Sequence, residues 1–221
     1  MERCKCCGSL GLFFGLGKTG LCSTCQHMVS LEVGLRQQAI KDAAKKVDST
    51  VNPQSKIAGL DMLLENIEAL RKYEERGIPC VEGSPSAMLQ DAQRKRQEIV
   101  LAAAHAELQD LLAKVEKAAS VGAKRQLYST FLLRMEEYEK KLDDPARLRD
   151  LELQVRRADH QVQLDAVISQ ALELELAGAR ADAVRTYHEA ADFLKKSCVD
   201  EPARTRLMVK INAKINLLGG W

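Results

Sequence analysis

Apolar side chains recur along most of this chain at spacings of three and four, the rhythm of helices that each bury one face. From about Gln26 to Val47 the stripe is thin: Val29, Val33, Leu35 or Arg36, and Ile40. From Ser55 to Arg76 it is fuller, with Ile57, Leu60, Leu64 and Ile67 widened by Leu63 and Leu70. "GIPCVEGSPS", residues 77–86, ends that run with two prolines and two glycines and reads as a linker, with Cys80 a lone loop thiol. A longer helix is expected from about Pro85 to Ala119, presenting Ile99, Ala103, Leu108, Leu111, Leu112 and Val115. Ala123 to Leu142 has the most regular stripe, Leu127, Phe131, Met135, Tyr138 and Leu142. Asp144-Pro145 then caps and opens a helix to about Ala177. Its seam of Leu148, Leu151, Val155, Ala158 and Val162 stops at Asp165 and Ser169, so no simple coiled coil continues.

Composition agrees with this helical pattern. The 221 residues include only 5 prolines, and 33 Lys and Arg against 31 Asp and Glu leave a net charge of +2. That balance lacks the electrostatic footprint of a nucleic-acid or anionic-membrane binder. The densest basic cluster, Arg94-Lys95-Arg96, reads as one solvated side of a helix. Leu10 to Leu16 is too short to span a bilayer and is broken by glycines; flanking cysteines and the lack of a small-residue cleavage site argue against a signal peptide. The expectation is a cytoplasmic protein with no membrane span.

Catalytic patterns are missing from the sequence. The 4 histidines form no Glu-x-x-His or His-Glu-x-x-His, and at His188-Glu189 the place of a second His is taken by Asp192. His105 sits among Ala102, Ala103, Ala104 and Ala106 as an ordinary helix residue, and no Gly-x-Ser-x-Gly occurs. The chain is therefore expected not to be an enzyme.

The cysteines carry more information. Five of the 7 lie within the first 25 residues, a crowding that favours metal binding over disulfides. The stretch "GSLGLFFGLGKTGLCSTC" contains a GKT that suggests a phosphate loop. However, Gly11 and Gly17 stand one residue too far apart, Cys4-Lys5-Cys6-Cys7-Gly8 upstream is no strand, and Gly20 interrupts a following helix. The same residues fit zinc better. Cys4-x-x-Cys7 and Cys22-x-x-Cys25, fourteen residues apart, are two chelating pairs, and four thiolates fill a tetrahedron with no open position. One structural Zn2+ on Cys4, Cys7, Cys22 and Cys25 is expected, with Leu10 to Leu16 and Thr19 to Leu21 as a short β-hairpin bent at Gly17-Lys18. Cys6 could replace Cys4 or Cys7, and His27 could replace Cys25, but neither exchange leaves two matched pairs. A redox C-x-x-C would need a βαβ context that is missing here.

Cys4-x-x-Cys7-Gly8-x-Leu10-Gly11 followed by Gly20-Leu21-Cys22-x-x-Cys25 resembles the small N-terminal zinc-ribbon domains of uncharacterised bacterial proteins, although Leu21 stands where those carry Tyr. The resemblance covers residues 1–30 and implies a treble-clef fold and a metal, but no activity. Farther along, Val167, Ala171, Leu174, Gly178, Ala183, Tyr187 and Ala190 fall where a helical hairpin packs, and Asp200-Glu201-Pro202 caps a third helix with Leu207, Ile211, Ile215 and Leu218. Residues 165–221 resemble either a single tetratricopeptide-type hairpin with a closing helix or a microtubule-interacting-and-trafficking domain. Lys195 replaces the usual tetratricopeptide proline, and no second repeat follows. The resemblance implies grooves for peptide helices or strands.

The expected architecture is mostly α: a zinc ribbon (1–30), helices continuing from it (31–76), a linker (77–86), a long helical hairpin or coiled-coil-like region (87–164) and a three-helix bundle (165–221). The expected role is a non-enzymatic, zinc-stabilised helical adaptor that binds a protein or peptide partner, with homo-oligomerisation left open. The competing role is a thiol- or metal-responsive sensor whose helices transmit or dimerise, with Cys6 as the most reactive thiol.

Overall fold

The computed structural model of the chain describes residues 3–10, 15–196 and 201–219. Seven helices form among them: α1 (Ser23–Ser49), α2 (Pro53–Glu74), α3 (Pro85–Lys117), α4 (Val121–Glu139), α5 (Ala146–Leu176), α6 (Arg180–Lys195) and α7 (Glu201–Gly219). The mostly α class is therefore right. Among the described residues no helix is long and apolar enough to cross a membrane. The chain divides into two compact units, residues 1–103 and 104–221, with the division inside α3.

Helix starts follow local capping chemistry. The Asn52 carboxamide accepts the N–H groups of Gln54 (2.9 Å) and Ser55 (3.2 Å), with Pro53 at the first helical position, so α2 begins two residues before its stripe does. Ser120 likewise caps α4 by accepting from Ala123 N–H at 3.2 Å. The Asp144 carboxylate accepts from Ala146 N–H at 3.1 Å where α5 starts.

In the first unit α1 packs along α2. Ile40, Leu64, Ile67, Leu70, Cys80, Leu89 and Ala92 form a core drawn from α1, α2, the following loop and α3. The choice between Leu35 and Arg36 is settled for Arg36: Leu35 is 73% exposed, and the Arg36 guanidinium donates to Asn66 Oδ1 at 3.0 Å on α2. Residues 77–86 are tied down at several points. Ile78 and Cys80 are buried, the Cys80 thiol donates to the Leu70 carbonyl at 3.5 Å, and its pKa is pushed up mainly by burial. The Glu74 carboxylate receives the hydroxyls of Ser84 (2.6 Å) and Ser86, which hold its pKa below the usual carboxylate range, Ser84 more than Ser86.

Gly59 marks the closest helix approach that periodicity did not reveal. A Cβ there would lie 2.8 Å from Val47 Cγ2 and 3.6 Å from the Ala43 carbonyl oxygen. Gly59→Ala adds up to about 1 kcal/mol of helix propensity. Against that, Val47 is buried and its branched side chain has essentially one rotamer in a helix, so overpacking of about 1–3 kcal/mol prevails. The variant is expected to melt earlier than wild type, whereas adding it in a Val47→Ala background is expected to be neutral or stabilising. Thermal denaturation of the four chains of that cycle is the check.

In the second unit Phe131, Met135, Tyr138 and Leu142 are buried along and just past α4, and Leu148, Leu151 and Val155 on α5, which packs on α4. Farther along α5 the buried positions become Leu164 and Ala171, because this half packs on α6. The seam ends at Asp165 because the partner helix changes. Leu112, placed on a buried face by its spacing, is 40% exposed. α5 ends at a left-handed Gly178 (φ +76°), where Gly178 N–H donates to Glu175 O and Ala179 N–H to Leu174 O. This is the Schellman closure that only Gly makes without strain. α6 and α7 then complete a three-helix core with α5 from Leu164, Ala171, Tyr187, Ala190, Ala191, Leu194 and Ile211.

Candidate metal centre

The first cysteine pair lies on a tight turn in which Gly8 N–H donates to Cys4 O (2.8 Å) and Cys4 N–H to Ser9 O (2.9 Å). The second pair straddles the start of α1: Cys22 is its N-cap residue and Cys25 lies in its first turn, where Gln26 N–H donates to Cys22 O at 2.8 Å. The second pair thus sits at the N-terminal end of α1, where the helix dipole is positive.

A β-hairpin between the pairs is not found among the described residues. Residues 11–14 of its first expected strand lie outside them, and Leu10 makes only an isolated bridge with Arg3. Thr19 to Leu21 is not strand either, because nearby backbone groups serve a turn. Gly20 N–H donates to Gly17 O (2.8 Å), Gly17 N–H to Leu21 O (2.9 Å), and Lys5 N–H to Gly20 O (3.0 Å). Gly20 is left-handed at φ +75°, and a Cβ on it would meet the Lys5 stem at 2.9 Å. The Lys5 ammonium continues past it to the Gly77 carbonyl at 2.8 Å. Leu21, Val29 and Ile78 are buried against Cys4, Cys22 and Cys25. The head is thereby fastened to both α1 and the end of α2.

Within this frame the sulfurs of Cys4, Cys7, Cys22 and Cys25 all lie within 4.8 Å of one another, a group that can hold a metal ion. Cys7 Sγ is 4.0 Å from Cys22 Sγ. Cys4, Cys22 and Cys25 are buried, while Cys7 faces solvent. All four expected ligands therefore converge. Cys6, only partly buried, and the exposed His27 stand outside the group.

Local hydrogen bonds prepare the first pair for ionisation. The backbone N–H of Cys7, and then that of Cys22 (3.4 Å), hold the Cys4 thiol down to about 6. The Ser9 hydroxyl, 3.3 Å from Cys7 Sγ, lowers the Cys7 pKa. Cys25 is driven the other way, chiefly by the neighbouring Cys22 sulfur and then by Cys7. Four clustered thiols cannot all ionise on their own; a bound divalent cation would supply the missing countercharge.

Comparison of the chain with protein-family models, curated proteins and solved structures returns no match. What the head can do rests on its own geometry.

Proposed function

We propose that this protein is a non-enzymatic, zinc-stabilised helical adaptor in which Cys4, Cys7, Cys22 and Cys25 hold one structural Zn2+. The convergence of these four sulfurs within 4.8 Å of one another carries the reading. Zinc–thiolate bonds of about 2.3 Å place tetrahedral sulfurs about 3.8 Å apart, close to the 4.0 Å between Cys7 and Cys22. The all-sulfur donor set suits zinc and excludes harder ions such as magnesium and calcium. With four protein ligands the ion has no vacant position for substrate, so its work is to fasten the head. The backbone N–H donated to Cys4 Sγ by Cys22 (3.4 Å) and the Ser9 hydroxyl beside Cys7 are outer partners that orient the ligands.

The helices then serve as binding surfaces. The sequence of residues 165–221 resembles a tetratricopeptide-type hairpin or a microtubule-interacting-and-trafficking domain, and the grooves of such domains take peptide segments. A protein or peptide partner follows from that resemblance, with a cytoplasmic setting in which thiols stay reduced.

Elemental analysis of the chain purified without chelator tests the metal half of the reading, with one zinc per chain expected. A chain carrying iron, or one that stays metal-free after zinc reconstitution, would retire it. Zinc retained through mild peroxide treatment separates a structural site from a redox sensor.

A further inference from the structure

We propose that α1 pairs, antiparallel, with α1 of a second copy of the chain through the face that carries Met28, Leu31 and Leu35. Such pairing goes beyond the adaptor reading and does not depend on it. These three side chains are 65%, 58% and 73% exposed, and their spacing of three and four sets them in one line along the helix. The buried residues Val29, Ile40, Ala43 and Val47 lie on another line. α1 therefore carries two apolar lines, and the fold of the first unit covers one of them. Gly34, one turn on from Leu31, is a second sign. It stands mid-helix, where glycine costs stability relative to alanine, and a Cβ on it would meet nothing within 4 Å. Gly59 lets α1 and α2 meet; Gly34 leaves the outer side of α1 open to an equally close approach.

Charge and area identify the occupant. Between Ser23 and Gln38 the acidic and basic side chains are Glu32 and Arg36, beside the single His27. Both are engaged within the chain: they pair with each other at 3.8 Å, Glu32 accepts the Tyr73 hydroxyl at 2.6 Å, and Arg36 donates to Asn66 at 3.0 Å. A face whose charges are already taken offers nothing to an acidic or basic segment, and it does not repel its own duplicate. At about 30 Å² of accessible surface per carbon, the three exposed side chains present roughly 300 Å² of apolar area. Two copies bury roughly 600 Å² of it, and with homodimer interfaces about 65% apolar the whole contact is about 900–1,000 Å². That lies at the lower limit of a specific interface, so a reversible dimer with Kd on the order of 10 µM is expected.

The order of residues along the line sets the direction. It runs on through Thr24 before Met28 and through Gln38 and Asp42 after Leu35, all three exposed. A two-fold axis at its middle sets Leu31 against Leu35 of the second copy, Met28 against Gln38, and Thr24 against Asp42. The Asp42 carboxylate, which accepts from Gln38 Nε2 at 3.1 Å, then meets a hydroxyl. Gly34 of each copy lies near the axis, where the helices come closest. A parallel pair would set Asp42 against Asp42 and oppose like charges.

Sedimentation equilibrium of the full chain as purified, over about 1–200 µM to bracket the expected constant, should show the mass rising from one chain to two. Leu31→Lys/Leu35→Lys is expected to raise Kd at least about tenfold by setting like charges across the axis. Both positions are exposed, so at low concentration the variant should melt as wild type does. Gly34→Gln, which improves helix propensity, should also raise Kd by filling the approach. A benzophenone side chain placed at position 38 should, on irradiation, join Met28 of the other chain, as located by mass spectrometry. A chain that stays monomeric over the whole range overturns the proposal, as does a dimer indifferent to the double variant, which uses another surface. Cross-links between the two positions 38 overturn the antiparallel pairing. A monomer whose double variant melts early overturns it too, because the stripe is then covered within the chain.

Discussion

Cys22→Ser is expected to abolish stoichiometric zinc binding and to open the N-terminal head while leaving the second unit folded. Cys22 is both a proposed ligand and the N-cap of α1, its amide donates to Cys4 Sγ at 3.4 Å, and its sulfur lies 4.0 Å from that of Cys7. Removing outer partners of a metal ligand already costs about 10–100-fold in affinity, so removal of a thiolate should cost at least about a hundredfold. Structural zinc supplies about 10–16 kcal/mol of apparent binding energy that is also folding energy. The consequence is local because the cluster of Cys4, Leu21, Cys22, Cys25, Val29 and Ile78 is distinct from the core around Ile67 and Leu70, although Val33 and Tyr73 touch both. Hydrogen exchange should show lost protection in the first turns of α1 and around Ile78, with α5 to α7 unchanged; elemental analysis should show well under one zinc per chain. If Cys22→Ser retains one zinc held as tightly as in wild type, Cys22 is not among the ligands and the assigned four-cysteine set is wrong.

How far the sequence foretold this arrangement depends on the length scale of each signal. Helix existence was legible because a stripe such as Phe131, Met135, Tyr138 reports burial directly, and those three are buried. The four-cysteine cluster was legible because two C-x-x-C pairs constrain their sulfurs locally. Spacing alone could not separate Leu35 from Arg36, since both lie near the same edge of α1; the deciding contact is Asn66, thirty residues away on α2. Gly59 carries no signal in the apolar spacing, because what makes it matter is the Val47 side chain of α1 lying against it. The hairpin between the cysteine pairs was inferred from apolar residues flanking a glycine bend. Its second segment instead gives its hydrogen bonds to the knuckle turns, a competition that pattern reading does not weigh. Ile78 and Cys80, in a segment that composition marks as a linker, are buried because the head and α2 meet there.

Tyr187→Ala is expected to be among the most destabilising single changes in the second unit, costing about 3–5 kcal/mol as for other large aromatic deletions from a core. Tyr187 is 2% exposed and is surrounded by residues of all three helices, Leu164 and Ala171 from α5, Ala190, Ala191 and Leu194 from α6, and Ile211 from α7. Its small neighbours cannot expand into the space it leaves, so the cavity persists. Its hydroxyl donates to Glu175 Oε2 at 3.0 Å, and the same carboxylate receives the Lys214 ammonium at 2.9 Å, linking α5, α6 and α7. Lys214 is the main reason Glu175 sits below the usual carboxylate range. Burial, with Glu175 second, pushes the Tyr187 phenol up to about 12, so it remains a neutral donor at physiological pH. Glu175 favours the folded state above its unfolded pKa, and that contribution is lost as pH falls through its lower folded pKa; the clamp fails in acid and not near neutrality. Tyr187→Phe separates the two contributions. It keeps the ring and leaves Glu175 its lysine, so only about 1–1.5 kcal/mol should be lost. Urea denaturation of wild type, Phe and Ala chains, followed through the second unit, should therefore place Phe much nearer wild type. Equal losses for the two variants would assign the stability to the phenol's hydrogen bond and contradict the packing account.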